Sequence, residues 1–119
     1  IFLDTLYAFS IGEVLFKPTL ASETQFRLTK KAALSYFIGG DPDFTEDTGF
    51  ALMNWQKIRF KNKRIHIEGN IAITMGNYFM TRDNVEQKVE YSIVYKKDNQ
   101  GNLRIILHDS HLPYIRGTF

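Results

Sequence analysis

The stretch Ile71-Ala72-Ile73-Thr74-Met75-Gly76-Asn77-Tyr78-Phe79 decides the fold. Ile71, Ile73, Met75, Asn77 and Phe79 alternate with Ala72, Thr74, Gly76 and Tyr78, and a period of two is that of a β-strand. A glycine inside such a strand can mark a bend, so Gly76 is read as the place where the sheet turns. The pattern continues outward on both sides. Upstream, Phe50 to Phe60 reads as one strand with a bulge near Asn54, Asn62-Lys63 as a turn, and Arg64 to Ile67 as a short strand. Downstream, Val89, Tyr91, Ile93 and Tyr95 mark a strand, 98–102 a hairpin loop, and Leu103 to Ser110 the closing strand.

The amino-terminal third has a different period. Phe2 to Phe9 is spaced as the end of a helix, and Val14-Leu15-Phe16 is a short strand stopped by Lys17-Pro18. Thr29 is a good N-cap for a helix carrying Ala33, Leu34, Phe37 and Ile38 on one face, and Gly39-Gly40 ends it. Residues 41–49 form a polar loop, long enough to be a rim or lid. Helices followed by successive antiparallel strands give an α+β fold. The expected form is a strongly curved antiparallel sheet wrapped over the helices as a cone.

A length of 119 residues suits one domain, 1–119. Because the sequence starts at Ile1 rather than Met, the domain is expected to be excised from a longer or multi-domain precursor. Ten Phe and six Tyr can fill an interior or line a pocket. A net charge of +2, spread along the chain, gives no footprint for nucleic acid. The densest basic run, Lys57 to Arg64, alternates with Ile58 and Phe60 as a solvated strand face does. No apolar run approaches the ~20 residues of a membrane span. With no cysteine there is no disulfide, thiolate metal site or cysteine nucleophile.

Candidate chemistry gathers at three places. On the last strand, Arg104, Ile106, His108 and Ser110 share one face, which sets His108 and Ser110 about 7 Å apart. His108 is a candidate base or, equally, a strand-end cap. Ser110 lacks a nucleophile elbow and is read as a hydrogen-bond donor. Thr19, just past the rigid Lys17-Pro18, and Tyr36, on the helix, can each donate a hydroxyl to an anion, or serve as a turn cap and a core residue. Asn77 and Tyr78 are polar tips that face a cavity, a partner chain or a neighbouring strand. His66, His108 and His111 do not converge, so no metal site is expected.

Val14-Leu15-Phe16-Lys17-Pro18-Thr19, Ala33-Leu34-Ser35-Tyr36-Phe37-Ile38-Gly39-Gly40, Gly49-Phe50-Ala51, Met75-Gly76-Asn77-Tyr78-Phe79, Lys88-Val89-Glu90-Tyr91 and Leu107-His108-Asp109-Ser110-His111-Leu112-Pro113-Tyr114 together resemble the iota-class carbonic anhydrases. That class shares a cone fold with nuclear transport factor 2 and the calmodulin-dependent kinase II association domain. The resemblance covers Val14 to Tyr114. It implies reversible hydration of CO2 to bicarbonate, without metal or other cofactor. It implies a pocket lined by Thr19, Tyr36, His108 and Ser110, with Tyr78 added as a substrate contact, and a homodimer made through the sheet. It also implies an algal plastid or a bacterial periplasm as the location. The class motif His-His-Ser-Ser-x-Pro here reads His108-Asp109-Ser110-His111-Leu112-Pro113, altered on the strand face away from His108 and Ser110. A non-catalytic association domain of the same fold is the rival reading. A ketosteroid-isomerase-like enzyme would need a carboxylate base in the cavity.

Overall fold

The computed structural model describes residues 2–119; Ile1, the first residue of the expected domain, lies outside the described residues. The chain runs α1 (Phe2–Leu6), β1 (Leu15–Lys17), α2 (Lys30–Ile38), a 3-10 turn (Phe50–Leu52), β2 (Lys57–Glu68), β3 (Ile71–Arg82), β4 (Val85–Lys97) and β5 (Leu103–His111). The five strands form one sheet in the order β1-β5-β4-β3-β2. The α+β class holds. The order is simple because β2 to β5 follow one another through short connections, which favour antiparallel neighbours.

One pairing departs from the expected all-antiparallel sheet. β1 runs parallel to β5, with Leu15 opposite Leu107, Phe16 opposite His108 and Lys17 opposite Asp109. A parallel pair needs a long crossover, and here nearly the whole chain supplies it. Just ahead of β1, Tyr7 forms a further parallel bridge to Ile105, with Ala8 N–H donating to the Ile105 carbonyl at 2.9 Å.

Residues 50–68 differ from expectation twice. Phe50–Leu52 is a 3-10 turn rather than strand, and β2 begins only at Lys57. Asn54 has φ 59°, a left-handed conformation that breaks an extended chain. The Trp55 indole donates to the Phe50 carbonyl at 3.0 Å and closes the turn. Asn62-Lys63 is not a hairpin turn. Asn62 pairs with Gly76 and Arg64 with Met75, so Lys63 is the extra residue of a bulge within one continuous strand. Gly76 permits that bulge. A Cβ at position 76 would sit 2.3 Å from the Lys61 carbonyl oxygen and 2.7 Å from the Lys63 nitrogen, both backbone atoms that cannot swing away.

Thr29 caps α2 as read, its side chain accepting from Ala32 N–H at 3.1 Å, and Gly39 ends the helix at φ 70°. The core gathers Leu3, Tyr7, Val14, Phe16, Ala33, Tyr36, Tyr78, Met80, Val89, Tyr91, Ile93 and Ile105. It therefore sits between the helices and one face of β1, β5, β4 and β3. The edge strand β2 buries none of its residues. β5 also carries an irregularity, since Val94 pairs with Leu107 but Tyr95 with Ile105. The extra residue Ile106 shifts the alternation, so it is Ile105 rather than Ile106 that pairs in phase with the buried side of the strand.

The fit of β2 over position 76 yields a stability expectation. Gly76→Ala should destabilise the fold by about 1–3 kcal/mol, the range for overpacking. The urea midpoint reads it, and Ala at the open position Gly12 serves as control.

Candidate active site

The β1–β5 pairing aims Lys17-Pro18-Thr19 at the end of β5. Lys17 Nζ donates to the Ser110 carbonyl at 2.9 Å and to the Pro18 carbonyl at 3.3 Å, which ties the turn to the strand. Thr19 Oγ1 then lies 2.7 Å from Ser110 Oγ and 3.0 Å from the Tyr78 hydroxyl. Ser110 is almost wholly buried, at 1% exposure. Three hydroxyls from β1's trailing turn, β3 and β5 thus form one continuous chain of hydrogen bonds.

Tyr36 enters from α2. Its hydroxyl accepts from Leu20 N–H at 3.2 Å, beside Thr19. Because it accepts there, its own proton is left to be donated elsewhere. Burial raises its pKa, so it stays a neutral phenol at neutral pH. A cavity of about 30 Å³ lies against Tyr36, bounded by Leu20, Gly49, Phe50 and Met53. That is room enough for a water. Leu20 and Met53 also border an open cleft of about 370 Å³ with Trp55, Met80 and Leu112.

His108 makes no hydrogen bond to the hydroxyl chain. Its ring stacks against Phe16, with centroids 5.1 Å apart, and against Tyr7. Its Nδ1 is 2.7 Å from the Tyr7 hydroxyl. Nε2 is buried and has no hydrogen-bond partner among the described residues. Burial pushes its pKa down to about 4. The unperturbed value near 6.5 taken from sequence thus shifts downward, and the neutral ring accepts a proton less readily, because charging it in an apolar wall is costly.

The loop 41–49 is fastened rather than loose. Arg27, fully buried, forms a two-pronged pair with Asp47 at 2.7 and 2.8 Å and also donates to the carbonyls of Thr24 and Ala32. Ser35 Oγ donates to Asp47 at 2.6 Å. Glu46 accepts from the amides of Ser22, Glu23 and Thr24, and the Ser22 and Thr24 amides foremost hold its pKa down to about 2. Asp47 is thus engaged by Arg27 and Ser35, which occupies a buried carboxylate of the kind the isomerase reading would require as a base. Sequence reasoning missed Tyr7 and the Arg27–Asp47 pair. No local signal marks either, since their partners are 101 and 20 residues away.

Among the described residues no three His, Cys, Asp or Glu converge as metal ligands. A family model for metal-independent carbonic anhydrase matches residues 1–112. The chain belongs to the metal-independent carbonic anhydrase family. It is 48% identical over 114 residues to a metal-independent carbonic anhydrase from Nostoc sp. (strain PCC 7120), covering 94% of this chain and 56% of that protein. The chain therefore spans about half the length of this curated relative. Its fold matches the crystal structure of a cyanobacterial iota-carbonic anhydrase complexed with bicarbonate, with TM-score 0.91, 46% identity, and coverage of 97% of this chain and 71% of that one. A candidate calcium/calmodulin-dependent protein kinase type II association domain from Thiobacillus denitrificans aligns at TM-score 0.61 with 14% identity, over 85% of this chain and 72% of that one. That likeness concerns the fold alone.

Acid should weaken this carbonic anhydrase family member in two steps. The neutral His108 contributes stability that is full above pH 6.5 and is lost as pH falls through about 4. The Glu46 carboxylate contributes stability that is full above 4.5 and is lost as pH falls through about 2. Urea midpoints measured against pH should show a shallower slope between 6.5 and 4 in His108→Gln, and between 4.5 and 2 in Glu46→Gln. Removing one member of the buried pair, in Asp47→Ala, should cost about 3–5 kcal/mol by the same measurement, because it strands the Arg27 charge.

Proposed function

We propose that this domain interconverts CO2 and bicarbonate at the Thr19–Tyr78–Ser110 hydroxyl chain, with Tyr36 and His108 completing the site and no metal taking part. The observation that carries the reading is the meeting of Thr19 Oγ1 with Ser110 and Tyr78 at 2.7 and 3.0 Å, in a chain of this family. CO2 itself needs only an apolar wall, and Phe16, Phe37 and Phe50 packed around Tyr36 offer one. The attacking water needs orientation, and the negative charge that develops on the CO2 oxygens needs donors fixed in advance. Thr19, Tyr36 and Ser110 are hydroxyl donors that need no ionisation to do this.

The reaction releases one proton for each bicarbonate formed. In this reading the proton passes along Ser110, Thr19 and Tyr78 to solvent water, its final acceptor. Each hydroxyl takes one proton and gives up another, so none has to become an anion. The depressed pKa of His108 makes it a donor or relay rather than the group that holds the proton.

The sheet face away from the helices is the proposed homodimer surface. Ile73 and Met75 are exposed there. A groove of about 510 Å³ beside them is lined by Lys61, Lys63, Asn77, Glu90, Ser92 and His111, and His111 Nε2 lies 3.0 Å from Glu90.

Stopped-flow CO2 hydration tests the activity. Protein treated with chelator is expected to keep its turnover. Tyr36→Phe and Ser110→Ala are expected to lower kcat/KM by roughly 10²- to 10³-fold, the scale for losing one oriented donor. Unchanged turnover in both variants removes the hydroxyls from the site, and no activity in the intact chain favours the association-domain reading. Met75→Glu should shift sedimentation from dimer to monomer.

A further inference from the structure

We infer that Tyr7 is a positioning residue for this site: its hydroxyl donates to His108 Nδ1, and so fixes the imidazole as the tautomer that presents an Nε2–H donor to an oxygen of bound bicarbonate. The inference rests on the activity proposed above and assigns a role to a residue outside the hydroxyl chain.

The hydrogen-bond pattern decides the direction of the Tyr7–His108 contact. At 2.7 Å one of the two atoms must donate. If Nδ1–H donated to the phenol oxygen, the Tyr7 proton would have no acceptor among the described residues, and the Nε2 lone pair would also go unmet. If Tyr7 donates, a single group is left over, the Nε2–H. The second arrangement leaves fewer buried polar atoms unsatisfied. It also agrees with acidity, since a phenol gives up its proton more readily than a neutral imidazole N–H does.

The burial of both rings keeps this arrangement in place. Tyr7 is 4% exposed, and its pKa is raised by burial, so it holds its proton. His108 stays neutral over the same range. No charged group contributes to the His108 shift, and the elements packed on it present Tyr7 from the end of α1, Phe16 from β1 and Ile93 from β4. The leftover Nε2–H stays desolvated and unpaired while it lacks a partner, which is costly. His108 lies on the same strand face as Ser110, two residues on, whose hydroxyl joins the Thr19 and Tyr78 chain. An anionic oxygen held there gives the orphaned donor its acceptor, and the cost becomes binding energy. An imidazole free to exchange tautomers would present a lone pair to that oxygen part of the time, and would repel it.

Nitrogen-15 spectra of protein labelled at histidine test this directly, with His108→Gln to assign the signal. In the wild-type protein at pH 7, His108 should show an unprotonated Nδ1 and a protonated Nε2, and added bicarbonate should shift Nε2 more than Nδ1. In Tyr7→Phe the two tautomers should mix. Its kcat/KM should fall roughly 10- to 100-fold, as expected for a misdirected buried hydrogen bond, while circular dichroism stays that of the wild type. A wild-type signal protonated at Nδ1 overturns the inference, as does a folded Tyr7→Phe with unchanged tautomer or unchanged kcat/KM. The wild-type spectrum decides the tautomer even where the variant does not fold. A locked tautomer that responds to bicarbonate in a protein without CO2 hydration would keep the inference and refute the activity.

Discussion

Three residues of backbone pairing organise the molecule. Leu15, Phe16 and Lys17 lie parallel to Leu107, His108 and Asp109. From that register Phe16 meets the His108 ring, Lys17 reaches the Ser110 carbonyl, and Thr19 arrives beside Ser110. The same strand holds the segment that follows it, since Arg27 N–H donates to the Phe16 carbonyl at 2.7 Å. Arg27 then fixes Asp47 and, through it, the loop beyond α2. A one-residue slip in β1 would turn every side chain to the opposite face and dissolve the hydroxyl chain.

Phe16 touches both parts of the site: its ring stacks on His108 at 5.1 Å and meets Tyr36 edge-on at 6.1 Å. The Thr19, Ser110 and Tyr78 hydroxyls satisfy one another through hydrogen bonds and do not call for a counter-ion. The charge that the interior does contain, on Arg27, is confined to the loop clamp and neutralised there by Asp47, with Glu46 at 3.6 Å. A buried ion pair is a weak source of stability and a strong source of geometry, because breaking it costs far more than forming it yields.

Much of this was legible locally. Alternation marked β3, β4 and β5, and the Thr29 cap and Gly39 bounded α2; Gly76 was singled out as a bend, whereas it makes room for the β2 backbone. The hydroxyl set Thr19, Tyr36, Tyr78 and Ser110 came partly from residue chemistry and partly from the family resemblance. What stayed hidden depends on distant partners. Lys63 reads as a turn until β3 is seen to run past it without a break. Phe50 to Leu52 carries strand-like residues, but Asn54 turns the chain by a backbone angle that sequence does not dictate. Nothing near Arg27 in the chain marks it as buried, because its partner Asp47 lies 20 residues on. The basicity of His108 was misjudged because its surroundings come from Tyr7 and Phe16, at the far end of the chain.

The wide separation of those partners has a consequence for how the protein is made. Tyr7 with His108, Thr19 with Ser110 and β1 with β5 each close a loop of some ninety residues or more. The hairpins β2–β3 and β3–β4 close through short connections and can form early. During synthesis the amino-terminal segment must wait, unpartnered, until the final strand leaves the ribosome. The pocket is therefore the last thing to be assembled, and Leu15, Phe16 and Tyr7 are apolar surface that a chaperone could hold in the interval.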